Sequence, residues 1–134
     1  IRSFKKHHLT YDPASSYGRA RFSFEDSYRA MGELLKKNQK LTAVFAMSDV
    51  MAIGAIRALK DHGCDVPKDI SVIGFDGITL ADYYNPKLAT IKQQYKLLAK
   101  RSMEILMYQI EFKRAAVHEV IPFELVAGES VGRL

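Results

Sequence analysis

A strand–helix–strand pattern in the first half of the chain constrains the fold more than any other feature. Residues 42–46 (TAVFA) and 70–75 (ISVIGF) are short, continuously apolar runs, and a helical stretch at residues 50–60 separates them. Continuously apolar strands are typical of parallel sheets whose two faces are covered by helices. A helical crossover is also the usual connection between two parallel neighbours. The pattern therefore predicts an α/β protein built on an open, doubly wound parallel sheet.

Further elements flank this unit. Ser23, with Asp26 three residues later, is close to a capping box and predicts a helix start. Pro122 lies in the last apolar run and predicts an edge strand or a bulge, because proline donates no ladder hydrogen bond. A helical pattern at the first residues, with no cap before it, predicts that the chain is part of a longer polypeptide. The other predicted elements are a helix tail at residues 1–9 with Ile1 and Leu9 on its apolar side, a helix end near residue 37, an extended segment at 88–92, a helix at 95–112 and a strand at 120–126.

The net charge of +5 raises the question of nucleic-acid binding. Residues 1–40 hold nine Lys and Arg against four Asp and Glu, whereas residues 41–134 hold eleven of each class. The excess therefore belongs to the first segment, where it is scattered among aromatic and acidic residues. Its spacing matches no helix-turn-helix, zinc finger or leucine zipper. We interpret it as a solvated basic face.

Hydropathy and cysteine content bear on the compartment. No apolar run approaches the ~20 residues that span a bilayer, and the basic N-terminal residues lack the apolar core of a signal peptide. The single cysteine, Cys64, forms no intramolecular disulfide. We expect a cytoplasmic protein with no membrane partner.

Two acidic residues follow the predicted strands, at the edge where open parallel sheets bind ligands. Asp49 closes the run TAVFAMSD, and Asp76 closes ISVIGFD. Ionised carboxylates only accept hydrogen bonds, which suits a ligand that presents several hydroxyl groups. For Asp49 the alternative is a helix N-terminal acid stabilised by the helix dipole. For Asp76 we favour ligand contact, since no helix of any length clearly follows it. A metal or phosphoryl-transfer site would want a second acid next to it, and Gly77 and Ile78 supply none.

The chain offers little for catalysis or metal binding. Cys64 does not lie at a helix N-terminus, where its reactivity would rise. The sequence contains no glycine-rich phosphate loop and no nucleophile elbow. We expect no enzyme activity, no cofactor and no bound metal. The histidines, which lack metal-ligand spacing, are His7, His8, His62 and His118.

A sugar site would also require flat apolar side chains against the C–H face of the ring. Phe22, Phe24 and Tyr95 are candidates, since they lie in loops or at helix starts. The alternative for each is a place in the core, which is the commoner role of an aromatic residue at a helix entry.

The helical stretch at residues 50–59 is apolar on nearly all sides, and Arg57 alone interrupts it. A helix that lies on a sheet needs only one apolar stripe. The additional apolar positions, Met51, Ile53 and Gly54, predict a second burial against another subunit. The alternative is a helix buried deep within one larger subunit.

Several stretches carry a family resemblance. Residues 48–77 (SDVMAIGAIRALKDHGCDVPKDISVIGFDG) resemble the lactose-repressor/galactose-repressor (LacI/GalR) family of bacterial transcription regulators. The similarity continues through residues 85–93 (NPKLATIKQ) and 121–130 (IPFELVAGES). Upstream, residues 21–35 (RFSFEDSYRAMGELL) are similar to the family's helix entry, with Ser27 where glycine is common.

The resemblance implies a periplasmic-binding-protein-like (type I) effector domain of two α/β subdomains, which a DNA-binding headpiece precedes in the family. On this basis the chain is a partial domain, without the headpiece and the N-terminal subdomain. Residues 1–84 then correspond to the C-terminal subdomain, incomplete at its start. Residues 85–117 correspond to the hinge crossing and a helix that packs on the N-terminal subdomain, and residues 118–134 return to the C-terminal subdomain.

Family roles carry over to individual positions. Phe22 matches the aromatic residue that stacks on the ligand, and Asp76 matches the acid that bonds sugar hydroxyls. Ser48 stands where many members have a ligand-binding Asn, and Tyr95 matches an aromatic position that faces the ligand from the hinge side. The family's dimer contacts correspond to the helices at 24–37 and 50–60 and to the segment with Tyr83 and Tyr84.

The resemblance favours one function over another. The favoured function is the effector-binding and dimerising part of a transcription regulator, with a sugar or sugar phosphate as effector. Such a protein is a homodimer and reaches operator DNA only through its headpiece. The alternative is a sugar-binding protein of a transport system, which shares the fold and requires a secretion signal.

Overall fold

The computed structural model describes residues 2–8, 12–113, 115 and 117–132. Every element predicted from the sequence is present, with bounds within about three residues, and one short helix at residues 79–83 is additional. Ile1 and Leu9 lie outside the described residues. The strands are β1 (Ala43–Phe45), β2 (Ser71–Asp76), β3 (Ala89–Gln93) and β4 (Phe123–Val126). The helices are α1 (Arg2–Lys6), α2 (Phe24–Lys37), α3 (Asp49–Asp61), α4 (Thr79–Tyr83) and α5 (Tyr95–Phe112).

The four strands form one sheet in the order β1-β2-β3-β4. The pairings of β1 with β2 and of β2 with β3 are parallel, with Val44 opposite Val72 and Gly74 opposite Thr90. The predicted α/β fold with its parallel strand–helix–strand unit is confirmed. The sheet as a whole is mixed, because β4 runs antiparallel to β3.

The antiparallel edge follows from how the chain leaves and re-enters the sheet. Gln93 ends β3, and its partner in the ladder is Phe123, the first residue of β4. The excursion through α5 therefore starts and finishes at the same end of the sheet, so the returning strand runs the opposite way. Pro122 lies immediately before this edge strand, where its missing N–H costs no ladder bond.

Serine and glycine fix the ends of the two central helices. The Ser23 side chain accepts a hydrogen bond from the Asp26 N–H and caps α2, as predicted. Ser48 caps α3 in the same way, accepting from the Met51 N–H at 3.2 Å. After α3, Gly63 has a φ of +78°, a conformation that suits glycine at a helix C-terminus.

The core lies between the sheet and the packed pair α2 and α3. Ile56 and Leu59 of α3 are completely buried, and so is Val72 of β2. Helix α2 packs against α3, and the two helices approach closely at Gly54. A Cβ atom there would overlap the Ser27 hydroxyl and lie 2.5 Å from the Phe24 carbonyl oxygen.

This packing corrects the interpretation of the apolar helix. Ile53 is 6% exposed within the core of this chain, and Gly54 is buried against α2 of the same chain. The extra apolar face of α3 therefore does not indicate contact with another subunit at these two residues. Met51 is only partly buried and packs against the same core.

Helix α5 contrasts with this core, since none of its residues is buried. Its apolar side chains include Met103 at 59%, Ile110 at 66% and Phe112 at 54% exposure. The assignment of residues 85–117 to a hinge crossing and a packing helix stays a prediction. Within the described residues, no helix is long and apolar enough to cross a membrane.

Candidate functional site

The candidate site lies where β2 and β3 end. Asp76 is the last residue of β2, Gln93 is the last residue of β3, and Tyr95 begins α5. The Gln93 side-chain amide donates to Asp76 Oδ1 at 2.9 Å. The Tyr95 hydroxyl donates to the Gly77 carbonyl oxygen at 3.0 Å. Two predicted ligand residues, Asp76 and Tyr95, therefore lie at the same edge. Gln93 binds Asp76 directly, and Tyr95 binds Gly77, the residue that follows Asp76.

Asp76 has an unusual backbone conformation. Its φ is +116°, outside the regions that L-residues normally occupy, and its side chain is half-buried. Such a conformation costs on the order of 1–3 kcal/mol and persists where surrounding contacts enforce it. Strained residues of this kind concentrate at binding sites, so the backbone independently points to this position.

Gly77 also adopts a conformation that other residues avoid, with a φ of +75°. A Cβ atom at this position would lie 2.5 Å from Lys92 Cγ and 2.8 Å from Lys92 Cα. The turn after β2 therefore passes so close to β3 that only glycine fits. It brings the Gly77 carbonyl to the edge where Tyr95 reaches it.

An apolar cleft of about 440 Å³ adjoins this edge. Gln93 belongs both to the cleft wall and to the hydrogen bond with Asp76. Phe45 and Phe123 of the cleft are 61% and 65% exposed. The other residues that line the cleft are Phe75, Ile91, Gln94, Leu98, Ile121 and Pro122.

Asp49 does not lie open to a ligand. Its side chain is completely buried, and its two oxygens accept hydrogen bonds from Gly77 N, Ile78 N and Thr90 Oγ1. The carboxylate follows β1 as predicted, but its described partners are protein groups. This burial argues against ligand contact. Asp49 is the first residue of α3, as the alternative expected, but its carboxylate binds the turn after β2 and strand β3.

Ser48 and Phe22 stand apart from the Asp76 cluster. Ser48 is 3% exposed, and its hydroxyl is occupied as the α3 cap. Phe22 is 68% exposed in the bend before α2, and no described hydrogen bond or ring contact ties it to Asp76. Their roles as ligand residues stay predictions that rest on the family resemblance.

Sequence reasoning missed Gln93 and Thr90. Gln93 ends a strand at the same edge as Asp76, so a search of every strand end for polar residues would have found it. Thr90 gave no such signal, because it lies inside a strand and becomes important only through the register that places it near Asp49.

The exposed predicted dimer residues lie on a second surface. Tyr83 is 82% exposed, whereas Tyr84 is partly buried and burial raises the pKa of its hydroxyl. Nearby, Asp61 accepts from Arg57 Nε at 3.0 Å and from the Tyr28 hydroxyl at 3.1 Å. The hydrogen bond from Arg57 holds the pKa of the Asp61 carboxyl below its usual value.

Comparison with known proteins assigns the fold to a family. A family profile described as a periplasmic binding protein-like domain matches residues 2–131. The chain belongs to this family. Similar curated proteins are HTH-type regulators: MalR of Clostridium butyricum is 45% identical over 104 residues, and the repressor PurR of Pasteurella multocida is 43% identical over 112 residues. These alignments cover 78% and 82% of this chain.

Solved structures of LacI-type regulators agree. The complex of the regulator CelR with cellobiose superposes with a TM-score of 0.85 at 30% identity, covering 96% of this chain and 39% of that one. A LacI family regulator from Enterococcus faecium with bound ribose gives 0.78 at 29% identity, covering 99% and 49%. The predicted LacI/GalR resemblance is confirmed, and the chain corresponds to part of a LacI-type effector-binding domain.

The match is partial in length. The chain spans about a third of the curated relatives it matches, 31% of MalR and 33% of PurR. Among the residues that the structure describes, no group of three His, Cys, Asp or Glu could hold a metal ion.

Proposed function

We propose that this chain supplies the C-terminal share of a sugar-effector site in a LacI-type transcription regulator. The observation that carries the proposal is the polar edge of Asp76, Gln93 and Tyr95 beside an aromatic cleft. A carboxylate and an amide accept and donate hydrogen bonds to ring hydroxyls, and exposed aromatic rings cover the apolar ring face.

A neutral sugar fits this edge better than a sugar phosphate. The central side chain, Asp76, is an anion when ionised and would repel a phosphate group. Two similar regulators have cellobiose and ribose in their solved complexes. We propose that this chain takes a sugar of the same chemical class, with binding rather than catalysis as its role.

A nuclear magnetic resonance titration of the intact regulator, which would hold the other share of the site, tests this assignment. Cellobiose and ribose are added separately to the ¹⁵N-labelled protein, and the amide shifts are followed. The proposal expects changes that cluster at residues 76–78 and 93–95. Shifts that cluster on α4, or no shifts with any mono- or disaccharide of a wider panel, would contradict it.

A regulator is favoured over a transport protein. The similar curated proteins are HTH-type transcriptional regulators, whereas a transport protein requires secretion. We propose that DNA is reached through a headpiece outside these 134 residues and that the protein acts in the cytoplasm, where its operator is. A helix-turn-helix encoded directly upstream supports this role, and a signal peptide there contradicts it.

We also propose a homodimer, formed through exposed rather than buried residues of the predicted surface. Tyr83 and Leu80 of α4 are 82% and 44% exposed, and Phe24 of α2 is 41% exposed. A Tyr83→Glu change places a charge on this surface and should shift sedimentation velocity toward the monomer. Tyr17→Glu, at a 56% exposed tyrosine outside α4 and α5, is the matched control. A dimer that persists in Tyr83→Glu excludes this surface.

Helix α5 has its own proposed partner, the N-terminal subdomain of the same polypeptide. Its exposed apolar side chains, among them Met103, Ile110 and Phe112, would be buried in that contact. Because the same helix begins at Tyr95, the position of α5 determines where this candidate ligand residue lies.

A further inference from the structure

The buried carboxylate of Asp49 connects the start of α3 with the turn after β2 and with strand β3. Asp49 follows β1, and its Oδ2 accepts from the N–H groups of Gly77 and Ile78, both at 2.8 Å. Its Oδ1 accepts from the Thr90 hydroxyl of β3 at 2.5 Å. The side chain has no solvent exposure, so these contacts are dry.

The neighbouring sequence is fitted to this carboxylate. A Cβ atom on Gly74 of β2 would overlap Asp49 Oδ1, so glycine is required where β2 passes the acid. Ser48 already caps α3, and none of the described hydrogen bonds of the Asp49 carboxylate goes to the backbone of its own helix. Its bonds all serve the turn after β2 and the adjacent strand.

That turn carries the candidate ligand acid. The Gly77 N–H belongs to the peptide unit that joins Asp76 to Gly77, so Asp49 fixes the plane of this peptide. On its other side, the Gly77 carbonyl accepts from the Tyr95 hydroxyl. The Asp49 carboxylate and the Tyr95 hydroxyl therefore both hold the segment in which Asp76 keeps its φ of +116°.

We propose that Asp49 is a positioning residue that holds the 76–78 turn so that the Asp76 carboxylate is presented to the sugar. The idea rests on the proposed function for its link to binding, although the turn geometry can be tested alone. Removal of Asp49 releases two N–H groups and relaxes Asp76 toward ordinary backbone angles. The sugar site then loses its preformed geometry.

Three variants separate positioning from general stability. Asp49→Ala removes every acceptor. Asp49→Asn keeps one oxygen for the Gly77 and Ile78 N–H groups and turns an amide donor toward Thr90, so it should rescue the turn. Leu59→Ala is the control, because Leu59 is completely buried on the same helix and lies away from the turn.

Hydrogen exchange of single amides is the first readout. In Asp49→Ala, exchange at Gly77 and Ile78 should rise at least about tenfold relative to Val72 in the core, since local opening exposes those amides alone. Asp49→Asn should stay near wild type in this ratio. Leu59→Ala should raise exchange at all three amides together. An unchanged ratio in Asp49→Ala, or an equal change of that ratio in Leu59→Ala, overturns the proposal.

Cellobiose affinity, or ribose affinity if only ribose binds, is the second readout. Asp49→Ala should weaken binding by about tenfold or more, and Asp49→Asn should retain it. Equal affinity in Asp49→Ala and wild type, despite a released turn, overturns the positioning role. If wild type binds neither these sugars nor any mono- or disaccharide of the wider panel while the exchange result holds, the proposed function fails and Asp49 still fixes the turn.

Discussion

Helices α3 and α5 have similar apolar sequences and opposite environments. In α3, Ala52, Ile56 and Leu59 are completely buried between α2 and the sheet. In α5, no residue is buried, and Ile110 remains 66% exposed. An apolar helix surface therefore predicts a packing partner, but it does not show whether that partner lies in the same chain. For α3 the partner is α2, and for α5 none of the described elements covers it.

The largest expected difference comes from a charge placed in each helix. Ile53→Lys places an unpaired ammonium in the buried core around α3 and should cost more than about 3 kcal/mol of unfolding free energy. In this chain without the proposed N-terminal subdomain, Ile110→Lys on α5 should stay within about 0.5 kcal/mol, as exposed substitutions do. Thermal and urea unfolding of both variants measures this. A folded Ile53→Lys protein of wild-type stability would refute the burial of Ile53 in the core around α3.

A smaller difference is expected between two helical glycines. Gly54→Ala drives a methyl group toward the Phe24 carbonyl and should destabilise by about 1–3 kcal/mol. Gly32→Ala on α2 places its methyl at an ordinary 3.4 Å from His62 Cε1. It should stabilise by roughly 0.5–1 kcal/mol, because alanine favours helix. Equal effects of the two changes in denaturant unfolding would show that the α2–α3 contact is looser than described.

The smallest effect concerns the attachment of α5 itself. Glu119 accepts hydrogen bonds from the Arg101 guanidinium, the shortest at 2.8 Å, and this contact lowers the pKa of Glu119. A lowered folded-state pKa means that the pair stabilises above the unfolded pKa near 4.5 and is lost as the pH falls through the lowered value. The Arg101 side-chain resonances should change over that acidic range.

Glu119→Gln supplies the control for this titration, since it removes the titrating group. Its Arg101 resonances should not follow the same acid transition. Added salt should weaken the wild-type effect, because both side chains are solvent-accessible. A wild-type transition that persists in Glu119→Gln would assign it to another carboxylate.

The order of elements and most of their bounds were predictable from local signals. Ser23 predicted the start of α2, and the two apolar runs separated by a helical stretch predicted the parallel strands. The antiparallel edge was not predictable in the same way. It depends on the pairing of Gln93 with Phe123, across a long excursion whose path no local pattern records.

The site was predictable in part. Asp76 was found because it ends an apolar strand, and the structure adds the strained φ that no sequence pattern shows. Asp49 also follows an apolar run, yet it is buried at the start of α3, because Gly74 leaves room for it and Thr90 faces it. Which of two such acids turns inward depends on residues from other strands, so sequence spacing alone could not separate them.

The central claim is that the Asp76 edge binds a sugar, and the affinity of Asp76→Asn tests it most directly. Asparagine tolerates positive φ and keeps an oxygen for Gln93, while it loses the charge and one acceptor. Affinity for cellobiose or ribose, measured by resonance titration, should fall roughly tenfold to a hundredfold, as expected for a hydrogen bond to a charged group. Asp82→Asn on α4 removes an exposed acid paired with Lys87 and should leave affinity unchanged. Unchanged affinity in Asp76→Asn, with an intact thermal melt, would contradict the account.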